Sequence, residues 1–221
     1  RLNPPDGLAM HWSRLADVPL FAILSALSSG LGKYEAALVA ILVVPAMAFL
    51  LYLFGTIRLY RAIDDNGEAL APLVIASLAF PVIGLFLPGR IDHHGWQVAL
   101  LVWAASSVFG RATVANGVIT GMATAASLTI GLETAPLLAV LLGILAFNWT
   151  VNGTDERLRM IAVGGSLLAM MLVSYVMFIP ANWPRDACDG FGPNMALIAG
   201  FAGLCFAFLG GVSGLSNMVF R

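Results

Sequence analysis

Seven apolar runs, each close to the length of a membrane-spanning helix, punctuate the 221 residues and leave few folds open to the chain. They occupy 34–57, 70–87, 93–109, 112–130, 133–147, 160–179 and 195–215. In hydrocarbon no water can bond a bare N–H or C=O, so a spanning segment must satisfy its backbone internally. Runs of this length, without the alternation of barrel strands, predict helices. The composition agrees: 60% of residues are hydrophobic and 10% charged, against roughly 45–50% and about 25% in soluble domains. The expected fold is all-α: a polytopic transmembrane bundle of about seven spanning helices. An eighth segment, 15–31, is apolar but carries Asp17, Pro19 and a Ser/Gly-rich end. It reads as an interfacial or re-entrant helix, with a partial span as the alternative. Pro45, Pro81 and Gly164-Gly165 lie inside passes, where neighbouring helices can satisfy freed backbone groups. Gly117-x-x-x-Gly121 and Gly200-x-x-Gly203 suggest close helix contacts, though such spacing also arises by chance in a Gly-rich apolar chain.

Several function classes drop out. The net charge of −1 and the lack of any basic run exclude a nucleic-acid surface. Cys188 and Cys205 are too few for a disulfide framework or a zinc site of known spacing, and Cys205 reads as a packed small residue. No Walker loop, Gly-x-Ser-x-Gly elbow, His-Glu-x-x-His or dinucleotide fingerprint occurs. Opening at Arg1 without Met and closing at Arg221 just after an apolar run, the chain is expected to be an internal fragment of a longer protein.

Alternating the passes sorts the connecting segments onto two faces. Residues 1–33, the stretch around Asp92, the hinge at Glu133 and residues 180–194 share one. Residues 58–68, Gly110-Arg111, residues 148–159 and Arg221 share the other. Basic residues are nearly balanced: Arg58, Arg61, Arg111, Arg157, Arg159 and Arg221 against Arg1, Arg14, Lys33, Arg90 and Arg185. The positive-inside rule therefore does not set orientation. The first face holds all three His and the unusual chemistry, and is expected to be the working one. The sequons at Asn148 and Asn152 fall on the other face, where no glycan is expected.

The densest chemistry is Gly89-Arg90-Ile91-Asp92-His93-His94-Gly95-Trp96, at the mouth of two apolar passes. Ionisable groups in such a place are costly and point to function. Residues two apart on an extended chain point the same way, so Asp92 and His94 could share a divalent cation or a proton path. Alternatively Asp92 caps the following helix and both His are wetted at its first turn; the two readings are compatible. Arg90 could clamp a phosphate or anchor the helix to headgroups, and Trp96 suits the interfacial belt. Glu133 must face water, a cavity or a partner on another helix. His11, Arg14 and Asp17 recur at helical spacing and would form one polar stripe above the membrane. Arg185, Asp186 and Asp189 match no metal pattern.

The order of these parts resembles the membrane half of GT-C glycosyltransferases, above all bacterial relatives of the oligosaccharyltransferase catalytic subunit. Residues 5–14 look like the later part of that family's first external loop. Gly89-Arg90-Ile91-Asp92-His93-His94 takes the place of its second, where a basic residue precedes an acidic pair that binds metal and donor phosphate. Asp92 aligns with the first acid; His94 stands where the second acid is expected, and imidazole remains a competent ligand. On this resemblance residues 1–221 are a partial GT-C-like domain: 1–33 the external loop with an interfacial helix, 34–215 the seven spanning helices, with the acidic motif upstream and a C-terminal domain downstream.

The resemblance implies metal-assisted transfer of a sugar or oligosaccharide from a polyprenyl-phosphate or -diphosphate carrier at the external, periplasmic face of a bacterial inner membrane. It implies Asp92, with His94, as ligands of Mn²⁺ or Mg²⁺, Arg90 and Arg14 as phosphate contacts, and Asp92, His11 and Glu133 as catalytic residues. The partners expected are a lipid-linked donor and membrane lipids, with no nucleic acid. The competing reading is a transporter using Asp92, His94 and Glu133 as a proton or metal relay, although no second copy of the cluster marks an internal repeat.

Overall fold

A computed structural model of the protein describes residues 13–64, 68–80, 82–178 and 190–219, with side chains to Ser213. Among these residues eight α-helices run in order: α1 (Val18–Leu31), α2 (Lys33–Ile63), α3 (Leu70–Leu78), α4 (His94–Val108), α5 (Val114–Ile130), α6 (Ala135–Asn152), α7 (Arg157–Phe178) and α8 (Pro193–Val219). Short 3₁₀ turns lie at Arg14–Asp17, Val82–Phe86 and Gly153–Glu156. The protein is an all-α helical membrane bundle, and its seven apolar runs fall on α2 to α8. Four helical stretches among the described residues are long and apolar enough to cross a membrane: Arg14–Leu31, Lys33–Ile63, Ala135–Phe178 (α6 and α7 together) and Pro193–Ser213. Helix α5, also apolar, has 17 residues and reaches about 25 Å.

The pass over 70–87 is broken: α3 stops at Leu78 and the chain resumes as the 3₁₀ turn from Val82. Pro81, between them, lies outside the described residues. A proline disfavours helical backbone in the residue before it, so a stop at or before Phe80 is the expected consequence. Helix α1 has no buried residue and packs on α2. Its 3₁₀ lead-in touches α5 and lines a pocket with Asp92 and His93. The Gly32 junction, at φ +89°, then hands the chain to α2, where the Ile41 carbonyl accepts from Gly89 N–H at 3.3 Å. The N-terminal lead-in of α1 thus belongs to the end of the bundle that carries the Asp92 loop, while α1 with that lead-in is itself long and apolar enough to cross a membrane.

Glycines set the closest contacts. A Cβ on Gly117 would lie 2.6 Å from the Arg159 carbonyl, and one on Gly121 2.6 Å from that of Val163, so both let α5 lie against the α7 backbone. Gly203 meets Gly164 across the α7–α8 seam, whereas Gly200 would tolerate a methyl. The small-residue spacing on α5 is therefore structural, and on α8 only half of it is.

Opposite the Asp92 loop, two guanidinium groups brace the bundle. Arg159, 1% exposed, pairs with Glu156 through two 2.6 Å hydrogen bonds. It also donates to the carbonyls of Val108 at 3.1 Å and Gly110 at 2.9 Å, capping the C-terminal end of α4 from another helix. Arg58 on α2 donates to Ser106 Oγ at 3.2 Å and to Asn116 Oδ1, and lies over the Trp103 ring. A buried pair broken on one side leaves an uncompensated charge. Glu156→Ala is expected to destabilise the protein by about 3–5 kcal/mol, and detergent unfolding curves should show it against a near-neutral change at the exposed Glu68.

Candidate functional site

The site grows from the turn that delivers the chain into α4. Gly89 adopts φ +87°, a conformation costly for residues with a Cβ, and Arg90 N–H closes the turn on the Leu87 carbonyl at 2.9 Å. Arg90 Nε then donates to Asp92 Oδ2 at 2.7 Å. The other oxygen, Oδ1, accepts the His94 N–H at 3.2 Å, so Asp92 caps the first turn of α4. His94 Nδ1 lies 3.5 Å from Asp92 Oδ1; it is shielded from solvent yet makes no hydrogen bond. The rings of His93 and His94 stack, with centroids 4.3 Å apart and planes within 24°.

Glu133 arrives from the α5–α6 connection and finds its partners on α4. Its Oε1 sits 3.0 Å from His93 Nε2, and its Oε2 accepts from Gln97 Nε2 at 2.7 Å. His93 and Gln97 are four residues apart and so share a helix face, which is how one carboxylate engages both. Gly131 makes room: a Cβ there would collide with the Glu133 carboxylate and stand 3.0 Å from Gln97 Nε2. A 2.7 Å bond between the hydroxyls of Ser127 and Thr134 fastens the same connection.

A third wall comes from the lead-in to α1. Ser13 Oγ accepts the Leu15 N–H at 3.4 Å and starts the turn that carries Arg14 and Asp17, paired at 3.1 Å. These two residues, with Ser13, Ala16, Ile91, Asp92, His93 and Ile130, line a cavity of about 210 Å³. Arg14, Arg90, Asp92, His94 and Glu133 therefore gather at one end of the bundle, as the alternation of passes predicts. His11, Arg185, Asp186 and Asp189 lie outside the described residues.

Partial burial pushes the Asp92 carboxyl up, but the Arg90 guanidinium, by hydrogen bond and by charge, and the His94 N–H hold it below its ordinary value. Burial acts likewise on Glu133 and is outweighed by the bonds from Gln97 and His93. Both groups are therefore carboxylates at neutral pH, suited to cations.

Beside the Asp92–His94 pair read from the sequence, whose atoms approach to 3.5 Å, a second set of donor atoms converges. His93, His94 and Glu133 each offer one ligand atom, all within 4.8 Å of one another. His93 and Gln97 went unassigned in the sequence reading. The signal available was their i, i+4 spacing, but its meaning depends on Glu133, which lies 36 residues from Gln97.

No protein-family model matches the chain, and no curated protein does. Among solved structures it is similar to the crystal structure of the Archaeoglobus fulgidus oligosaccharyltransferase in complex with Zn and sulfate, with a TM-score of 0.75 at 16% sequence identity. The match covers 98% of this chain and 29% of that one. The two share a fold over that span.

Depressed carboxyl pKa values carry a sign. Stabilisation from Asp92 and Glu133 is complete above their ordinary values of 3.8 and 4.5 and is lost as pH falls through the lower native ones. Melting temperature in detergent is expected to drop below about pH 4.5, and less steeply for Asp92→Asn. An unchanged acid limb in that variant would count against the Arg90–Asp92–His94 arrangement.

Proposed function

We propose that the chain is the site-bearing membrane portion of a glycosyltransferase that moves a sugar or oligosaccharide from a polyprenyl-phosphate or -diphosphate carrier. The observation that carries this reading is a cavity at one end of the bundle lined by Arg14, Asp17, Asp92 and His93, with Arg90 and His94 bound to Asp92 and Glu133 bound to His93 beside it. The fold shared with an archaeal oligosaccharyltransferase supports it. An apolar carrier can stay in the bilayer while its phosphate reaches a polar pocket opening at the membrane surface.

The transfer breaks the bond between the anomeric carbon and the carrier phosphate oxygen, and the electron pair leaves with the phosphate. The acceptor atom forms the new bond and gives up its proton to a base. Arg14 holds its guanidinium at the rim, 75% exposed on the side chain. Arg90 is tethered to Asp92, which lines the same cavity, and guanidinium groups suit bidentate contact with phosphate oxygens. Their charge stabilises the leaving phosphate more as its negative charge grows.

A divalent cation fits this site on one observation, the shielded and unbonded His94 Nδ1 beside the Asp92 carboxylate. Asp92 and His94 would hold it, Mn²⁺ or Mg²⁺ in the simplest reading, and when bound it supplies further charge neutralisation at the phosphate. The proton acceptor is assigned to His11 or to an acid of the first external loop. The working face is the external one, periplasmic if the membrane is a bacterial inner membrane.

Reconstituted full-length protein with a labelled lipid-linked sugar tests the reading. The double variant Asp92→Ala/His94→Ala is expected to lose about 100-fold or more of metal-stimulated transfer while keeping its melting temperature within a few degrees. Arg14→Ala is expected mainly to raise KM for the donor. Undiminished turnover in the double variant would overturn the assignment.

A further inference from the structure

We propose that the groove between α2 and α5, floored by α4, holds an anionic phospholipid, with one acyl chain lying in the groove and the headgroup phosphate on Arg58. The polar part of this site stands at the end of the bundle opposite the Asp92 loop, and the inference is independent of the proposed function.

The groove is built from several helices. Leu51 on α2, Leu100 and Trp103 on α4, Ile119 and Ala126 on α5 and Met170 on α7 line a cavity of about 270 Å³ with apolar side chains. Trp103 fixes its floor. The indole Nε1–H donates to the Leu51 carbonyl at 2.8 Å, and Gly55 leaves the ring its place, since a Cβ there would lie 2.8 Å from Trp103 Cδ1. The same ring meets the guanidinium of Arg58, whose carbon lies 5.4 Å from the ring centroid. Apolar groove and cation therefore share one side chain, and Leu51, Gly55 and Arg58, spaced i, i+4, i+7, run along one face of α2.

Charge identifies the headgroup. Arg14, Arg90 and Arg159 each pair with a carboxylate. Arg58 donates instead to neutral oxygens: from Nε to Ser106 Oγ at 3.2 Å, and from one terminal nitrogen to Ser107 Oγ at 3.4 Å and to Asn116 Oδ1. No carboxylate pairs with it among the described residues, and the other terminal nitrogen has no acceptor among them. These bonds orient the guanidinium without cancelling its charge, which is the electrostatic complement of a phosphate. Arg61, exposed and three residues further along α2, adds positive charge on the same helix toward the membrane surface.

Length identifies the rest of the occupant. Ten residues separate Asn116 from Ala126 on α5, about 15 Å of helix and half of a hydrocarbon core of roughly 30 Å. That is the depth of one leaflet, so a lipid whose chain fills the groove carries its phosphate at the level of Arg58. A free phosphate would use the cation and leave the groove unfilled. A zwitterionic headgroup would bring its own cation toward Arg58, so a net negative one suits the site better.

The test is lipid binding by the full-length protein in neutral detergent, read by native mass spectrometry and by melting temperature. Phosphatidylglycerol and phosphatidylcholine with matched chains are the probes. Wild type is expected to bind one phosphatidylglycerol at least about 5-fold more tightly than phosphatidylcholine, and to melt higher in its presence. Arg58→Gln should bring that preference within about 2-fold, whereas Arg58→Lys should retain most of it. Ala126→Phe, which fills the groove, should weaken binding of both lipids by about 10-fold. A purely structural Arg58 would lower the lipid-free melting temperature in Arg58→Gln and leave the preference unmoved, an outcome that overturns the proposal. Equal binding of the two lipids by folded wild type would also overturn it, as would unchanged lipid binding in Ala126→Phe, which needs no variant at Arg58. Protection by inorganic phosphate equal to that by phosphatidylglycerol would reject the groove, and tighter binding of a polyprenyl monophosphate would reject a phospholipid as its occupant.

Discussion

The guanidinium of Arg159 holds the end of α4 on which the placing of the Asp92 loop depends. It sits in the bundle interior, neutralised by Glu156 and bonded to carbonyls that the last turn of α4 leaves without helical partners. With Arg58 gripping Ser106 and Asn116, it fixes α4 against α2, α5 and α7 at one membrane end. Helix α4 is a short rod of 15 residues, so holding its C-terminal end also limits where its first turn can lie. That first turn carries His94 and directly follows Asp92 and His93.

The two ends of the bundle treat charge differently. At the Arg159 end, Arg159 and Glu156 are buried, paired and bonded to backbone, an arrangement that gives a stable joint and leaves no group of that pair for a ligand. At the Asp92 end, side chains are partly open, Arg14 and Arg90 keep water-facing surface, and the cavity there mixes polar groups (Arg14, Asp17, Asp92, His93) with apolar ones. Apolar surface turned to lipid needs no partner, whereas a charge at the membrane surface does. The ionisable residues of the chain are therefore informative about chemistry in proportion to how incompletely they are satisfied.

Much of the architecture was legible because lipid imposes a one-dimensional rule: a run of apolar residues of sufficient length must be a helix. The passes at 34–57, 112–130, 160–179 and 195–215 fall on α2, α5, α7 and α8 with small shifts at their ends. The break in the pass over 70–87 was less legible, since prolines are tolerated in many membrane helices and only local packing decides whether one ends the helix. At the site, the capping role of Asp92 and its pairing with Arg90 could be read from neighbours in sequence. The partnership of Glu133 with His93 and Gln97 could not, because nothing in the spacing of 36 to 40 residues says which faces of two helices meet.

By itself the sequence determined the helical class, the number of apolar passes, the placing of Arg14, the Asp92 loop and Glu133 at one end, and the local chemistry of the Asp92 loop. Each follows from composition and short-range spacing, on which hydrophobic burial and helix capping act directly. Tertiary structure alone decided which residues share the cavity, which carboxylate faces which imidazole, and which glycines permit the approach. Those outcomes depend on side-chain volumes at Gly117, Gly121 and Gly131 meeting atoms from distant segments. Close packing of helices is a property of surfaces in three dimensions, and linear order does not encode it in any residue taken singly.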